Sequence, residues 1–388
     1  MNSVRARLWR TKPQFGSDGK AVTVVAAELG RGVLPVSLAQ LVNVNALACD
    51  LRKVIDQGVR DGEIALLTSY VAEAMDGTPL TAHYPRLIAS SRHIRSFVSE
   101  CTGLGVMSAV SEALFEWKPG KRTLNSFDIL PRQLKGLYGT SGPRPDLLFH
   151  LPAGPMAGEA RGRSRSSKMP FPVASTADQR SRMATLANWS KDQGDHAYFM
   201  SWVWIGPGGV VVDVFLPDDD TLVDGMVKGW MTESGGETWI MPAPRPRERP
   251  ATFHVPDGDE GMDVHGGLLG TSEDDSIRIE EAVELADAWA DSAMNRLFER
   301  SPATVGTVAG VPVRGQWIQG DRIGPATHEV LVGVLAEGLP VDHRARRRAA
   351  STPGRLDAFL DGRLLTVARR LDEDRPAWDR ITEDLLNA

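Results

Sequence analysis

Asp146, Glu159 and Arg161 are the residues of this chain whose types and spacing could do chemistry together. Asp146 follows Pro145 at the head of an apolar run, PDLLFHL (145–151), and Glu159 comes 13 residues later in MAGEARGR (156–163). Both runs read as β-strands. Side chains alternate along a strand, so Glu159 and Arg161 share one face while Ala160 and Gly162 take the other. If the two strands pair as a hairpin, Asp146 joins that face, and two carboxylates beside a cation occupy one end of a sheet. Such a hard oxygen set suits Mg²⁺ or Mn²⁺. A divalent cation there would lower the pKa of bound water and stabilise the charge that grows on a phosphodiester. The same residues admit a plainer reading, in which Glu159 and Arg161 form an edge-strand ion pair and Asp146 caps a turn.

The elements around these residues decide whether they can meet. Before them, Ser90 to Trp117 reads as a helix, with Ile94, Phe97, Val98, Cys101, Leu104, Val110 and Leu114 recurring at helical spacing. Gly103 and Gly105 mark a weak point in it, and Lys118-Pro119-Gly120 stops it. Phe127 to Leu130 is a short apolar run. After them, Ser175 to Gln193 is amphipathic, with Met183, Leu186 and Trp189 on one side and Ser175 or Thr176 as N-cap. Two strands follow, Ala197 to Ile205 and Val210 to Leu216, joined by Pro207-Gly208-Gly209. Helix, strands, helix, strands implies an α/β sandwich with a mixed sheet.

The flanks are read more coarsely. Val22 to Ala27 predicts a buried strand, and Ser37 to Gln57 and Ile64 to Met75 predict helices. Beyond the core, a helix is expected near Leu222 to Met231, an extended linker over PAPRPRERP (242–250), and then an acidic stretch. From Ile277 the chain reads as mostly helical, including Glu280 to Arg300, Leu356 to Leu371 and Trp378 to Leu386. The expected organisation is an N-terminal region over 1–88, an α/β core over 89–220, a linker and acidic insert over 221–276, and a helical region over 277–388.

Charge is unevenly spread. A net charge of −6 excludes a general polyanion binder. Yet Ala160 to Arg182 carries Arg161, Arg163, Arg165, Lys168, Arg180 and Arg182 against Asp178 alone, and Asp257 to Glu281 carries nine acids against Arg278 alone. This polarity makes Arg163, Arg165, Arg180 and Arg182 candidate nucleic-acid contacts and the acidic stretch a candidate intramolecular cover; two solvated loops are the alternative.

Pro145-Asp146 and Glu159-Ala160-Arg161, set between a preceding and a following helix, resemble the PD-(D/E)xK nuclease superfamily over roughly residues 90 to 216. The resemblance implies a restriction-endonuclease-like αβββαβ core, a divalent metal held by Asp146 and Glu159, and catalysis of phosphodiester hydrolysis in DNA or RNA. It further implies an acid from the first helix, Glu112 or Glu116 with Glu112 preferred, and a polar residue at Gln179 near the site. Where the family carries a lysine this chain carries Arg161, which keeps its positive charge and clamps phosphate but does not act as a general base. Lys168 would supply the lysine if the basic loop folds back. A catalytically inactive nuclease-like scaffold, binding nucleic acid or docking a protein partner through the helical C-terminal region, is the alternative from a different class. Fold analogy would suit a bacterial defence or repair role.

Other chemistries are weakly represented. Cys49 and Cys101 make neither a disulfide framework nor a cysteine zinc site. There is no HExxH, Gly-x-Ser-x-Gly or phosphate-loop pattern, and Gly261 and Met262 break the calcium-loop spacing of the acidic cluster Asp257 to His265. His150, four residues after Asp146 on the same strand face, reads as a core histidine or a site-lining one. Trp202 and Trp204 read as core or as a stacking face, and RARRR (344–348) as charged helix surface or a phosphate contact. No apolar run is long enough for a membrane span, nor does the N-terminus carry an apolar signal core, so the cytoplasm is the expected compartment.

Overall fold

A computed structural model of the chain describes residues 2–50, 57–72, 80–115, 124–127, 138, 144–151, 154–218, 288, 290–301, 303–320, 328–339 and 356–386. The chain opens with strands β1 (Asn2–Phe15) and β2 (Ala21–Val36), which pair antiparallel across a turn holding Gly19 at φ 73°. Helices α1 (Leu38–Asp50) and α2 (Gln57–Tyr70) follow, then a small ladder of β3 (Val71–Ala72) with β4 (Thr81–Ala82). Next come α3 (Tyr84–Ala89), α4 (Arg92–Leu114), β5 (Leu124–Ser126), β6 (Leu147–Leu151), β7 (Gly154–Ser164), α5 (Ala177–Asp192), β8 (Tyr198–Gly206) and β9 (Gly209–Pro217).

These strands form one seven-stranded mixed sheet in the order β2-β1-β9-β8-β7-β6-β5. The β7 and β8 strands run parallel, as a strand–helix–strand crossover through α5 requires, and β1 runs parallel to β9. Strand pairing therefore crosses the boundary expected at residue 88. The N-terminal hairpin escapes a sequence reading because β1 is studded with Arg5, Arg7, Arg10 and Lys12. Val4, Ala6 and Leu8 are nonetheless buried at two-residue spacing on one face, and Arg7 is buried on the other.

The sheet has a helical layer on each side. Met156, Ala160, Phe199, Val203, Val212 and Val214 face α4, whereas Ala157, Met200, Trp202, Phe215 and Trp9 face α5. Gly103 and Gly105 do not interrupt α4. They let it approach two neighbours: a Cβ on Gly103 would lie 2.9 Å from Gly162 N in β7, and one on Gly105 would lie 2.3 Å from Leu41 Cγ in α1. Thr176 caps α5 in a capping box with Gln179, each bonding the other's backbone.

The C-terminal region differs from the helical expectation. The helical segment α6 (290–300) is followed by a second sheet of β10 (Thr304–Val308), β11 (Val311–Gln319), β12 (His328–Leu335), β13 (Asp357–Asp361) and β14 (Leu364–Arg370). Its order is β10-β11-β12-β14-β13, antiparallel throughout, and α7 (Trp378–Leu386) closes the chain as expected. Residues 356–371 are a hairpin because Gly362, at φ 59°, and Arg363 make a two-residue turn between Asp361 and Leu364. A closely spaced set of apolar residues mimicked helical periodicity there. Helix α1 joins the two sheets: Asp357 of β13 accepts hydrogen bonds from Leu38 N at 2.8 Å and from the Ser37 hydroxyl at the helix N-terminus.

An aromatic cluster of Phe127, Tyr138, Trp189 and His196 fills the space beneath α5. His196 donates from Nδ1 to the Ala197 carbonyl at 2.7 Å, and burial pushes its pKa down to about 4. An unfolded histidine titrates near pH 6.5. The stabilisation is complete above pH 6.5 and is lost as pH falls toward 4, because the unfolded chain takes up the proton first. The loss is at most about 3 kcal/mol. In urea denaturation at pH 7 and pH 4, His196→Gln should show a shallower pH dependence than wild type by up to that amount. Identical slopes would refute the assignment.

Among the described residues, no helix is long and apolar enough to cross a membrane. The helix expected near 222–231, the linker at 242–250, the acidic stretch 257–281 and the basic run 344–348 lie outside the described residues.

Candidate active site

The α5 face of the sheet gathers the polar residues. On β7, Glu159, Arg161 and Arg163 alternate with Ala160 and Gly162, as strand geometry dictates, and the ladder sets Glu159 beside Met200, Arg161 beside Trp202 and Arg163 beside Trp204. Antiparallel pairing of β6 with β7 brings Asp146 to the same end. Asp146 N donates to Gly158 O at 3.0 Å, and its carboxylate Oδ2 accepts from Ala160 N at 2.8 Å. The carboxylate thus takes the place of the next backbone acceptor in the ladder.

Glu159 is wholly withdrawn from solvent. Its Oε1 receives two guanidiniums, Arg161 Nη2 at 2.6 Å and Arg182 Nε from α5 at 2.7 Å. Both contacts are charge-assisted and short. The other oxygen, Oε2, is buried and has no hydrogen-bond partner among the described residues. Burial first, and then the negative charge of Glu159, push the Asp146 carboxyl up to about pH 7; the Ala160 amide, Arg161 and Arg182 pull the other way. A raised carboxyl beside a second carboxylate marks two acids competing for one small volume.

Glu159 Oε2 is an orphaned acceptor and Asp146 supplies a neighbouring carboxylate, which fits Mg²⁺ or Mn²⁺ retaining several waters. Among the described residues, no group of three His, Cys, Asp or Glu gathers here or elsewhere.

The other expected site residues fall elsewhere. Glu112 belongs to α4, on the opposite face of the sheet, and its Oε2 accepts from Gln40 Nε2 of α1 at 2.9 Å. It is therefore not brought to Glu159. Glu116 lies outside the described residues. Lys168 is exposed, and its backbone runs beside Gly208 in the β8–β9 turn. Met200, level with Glu159, is about 20 Å down β8 from Gly206 at a rise of about 3.3 Å per residue, so Lys168 is not brought to Glu159. Arg180 donates back to Ser175 O and Oγ, holding the entry to α5 rather than a free phosphate site. His150 is buried with its Nε2 2.8 Å from Asn125 Nδ2, a core placement.

Gln179 is also fully buried, and it points to a centre that the sequence reading missed. Its Nε2 donates to Asp213 Oδ2 at 2.9 Å. Asp213, in the middle of β9, also accepts from Trp204 Nε1 at 2.9 Å, Trp9 Nε1 at 2.9 Å and Arg7 Nε at 2.7 Å. Arg7 lies between the rings of Trp9 and Phe171 at 4.6 and 4.7 Å. The available signal was a lone acid inside the apolar strand VVVDVFL: buried charges in such runs are paired.

No family model matches the chain, and neither does any curated protein or solved structure compared with it.

Proposed function

We propose that the chain is a metal-dependent nuclease whose hydrolytic site is the Asp146–Glu159 pair. The observation that carries this reading is the pair itself, with the buried and unpartnered Glu159 Oε2 beside a carboxyl raised to about pH 7. The element order α4-β5-β6-β7-α5-β8 also supports it, because it runs αβββαβ as the resemblance to PD-(D/E)xK nucleases implies.

Asp146 and Glu159 would hold Mg²⁺ or Mn²⁺, which when bound supplies an acidified water and charge stabilisation for a phosphodiester. Arg161 and Arg182 place two fixed cations in front of Glu159, where they orient and neutralise a phosphate. Neither guanidinium sheds a proton at neutral pH, so their share is positional and electrostatic rather than basic. The substrate class is DNA or RNA, and both enter the test.

The assay is cleavage of plasmid, single-stranded DNA and RNA in Mn²⁺, with Mn²⁺ binding measured by calorimetry. Asp146→Ala and Glu159→Ala should each lower cleavage by about two to three orders of magnitude, as for loss of one group stabilising transition-state charge. Both should also weaken Mn²⁺ binding. Cleavage that survives both substitutions would overturn the site.

A second reading, a nuclease-like scaffold that binds nucleic acid or a protein partner without cutting, is favoured by one observation: both guanidiniums already occupy Glu159 Oε1. It predicts no Mn²⁺ binding dependent on Asp146 or Glu159, with nucleic-acid binding intact.

A further inference from the structure

Arginines recur along β7 beyond the Glu159 pair. Arg161, Arg163 and Arg165 stand at two-residue spacing, and Arg165 N extends the ladder past the end of β7 by donating to Ile205 O at 2.9 Å. A strand rises about 3.3 Å per residue, so successive guanidinium stems leave the same face about 7 Å apart. That is close to the separation of successive phosphates along an extended polynucleotide.

The row is preorganised by a second row behind it. Arg163 lies over the Trp202 ring at 5.8 Å and Arg165 over the Trp204 ring at 5.5 Å, while the two indoles are 5.8 Å apart. Held against aromatic faces, the guanidiniums lose less side-chain freedom on meeting an anion. Two buried donors here, Arg165 Nη1 and Trp202 Nε1, lack hydrogen-bond partners among the described residues, and Trp202 is only 4% exposed. Unsatisfied buried donors are costly, and an anionic acceptor drawn against the half-exposed Arg165 would satisfy its guanidinium.

We propose that Arg161, Arg163 and Arg165 form a track for the phosphodiester backbone of a single nucleic-acid strand, laid along β7 and leading to the Glu159 carboxylate. The inference rests on the nuclease reading of the same site and deepens it by naming the form of the substrate. A single strand is required because Glu159 is fully withdrawn and the arginines before it are only 32% and 20% exposed. A base-paired duplex presents its phosphates on a stiff convex surface, whereas an unpaired strand can bend one phosphate into a recess.

The experiment uses the full chain in EDTA, so that metal binding and cleavage play no part. Fluorescence anisotropy compares a short labelled oligothymidylate with its duplex on oligodeoxyadenylate. The single strand should bind at least about tenfold tighter. Arg163→Ala and Arg165→Ala should each weaken its binding by about tenfold. Each should also reduce the slope of log affinity against log salt by about 0.7. Arg380→Ala, which removes one cation from α7 in the other sheet, should change neither quantity. A doubly substituted Arg163→Ala, Arg165→Ala protein that retains its circular dichroism and binds with unchanged affinity and salt slope would overturn the track. Equal or tighter duplex binding would overturn the single-strand assignment. Loss of the metal reading alone would instead show as absent Mn²⁺ binding and cleavage, with the anisotropy results intact.

Discussion

Asp213→Ala is expected to cost about 3–5 kcal/mol of folding stability, the range for removing one partner of a buried ion pair. Domains as a whole are stable by about 5–15 kcal/mol, so the variant would stand at the edge of unfolding. Four donors converge on this carboxylate from two strands and a helix: Arg7 and Trp9 on β1, Trp204 on β8 and Gln179 on α5. Alanine would leave the fully buried Arg7 guanidinium with only Glu28, at 4.0 Å, as an anion, and would strip the acceptor from the Trp9, Gln179 and half-buried Trp204 N–H groups. Asn is no rescue, because its single acceptor oxygen serves one pair of donors while its NH₂ meets the other pair. Urea denaturation of wild type, Asp213→Ala and Asp213→Asn measures the difference. An Asp213→Ala protein within about 1 kcal/mol of wild type would mean that the network is not what holds α5 to the sheet.

Gly162→Ala should destabilise by about 3 kcal/mol, the upper end for overpacking a filled interior. A Cβ at this position would lie 1.6 Å from Ser99 O and 2.3 Å from Ser99 C, both backbone atoms of α4. No rotamer change relieves a clash with backbone, so the helix must lift from the sheet. Glu159 and Arg161 share strand β7 with Gly162, so the same displacement should loosen their ion pair. Thermal denaturation reads the first effect, and oligonucleotide affinity reads the second. A Gly162→Ala chain with wild-type stability would contradict the close approach of α4 to β7.

What could be read in advance divides along physical lines. The β6, β8 and β9 strands were legible because their apolar runs are short and bounded by Gly and Pro. Helix α5 was legible from its cap at Thr176. The same reasoning failed where local pattern was ambiguous. Val4, Ala6 and Leu8 alternate in β1, but four cations in the strand hid them, and Arg7 is buried only because Asp213, 206 residues away, neutralises it. Leu356 to Leu371 packs its apolar residues so densely that helix and hairpin periods both fit. The turn at Asp361-Gly362 decided the outcome.

The candidate site shows the same division. That Glu159 and Arg161 share a face follows from strand geometry alone, and the neighbouring position of Asp146 follows from hairpin pairing. The partnership of Glu159 with Arg182 was out of reach, since it depends on where the crossover helix lands on the sheet. Glu112 was misassigned for a related reason: a helix placed before the strands can cover either face, and α4 covers the one opposite Glu159.

By itself, the chain's order of residues determined those features that arise within one element or between adjacent ones, because dihedral preference, side-chain alternation and capping act over a few residues. Only the tertiary structure decided which face each helix covers, which buried charges meet, and that the C-terminal region is a second sheet. Those outcomes depend on burial and on ion pairs between residues far apart in sequence. No local pattern encodes their distances.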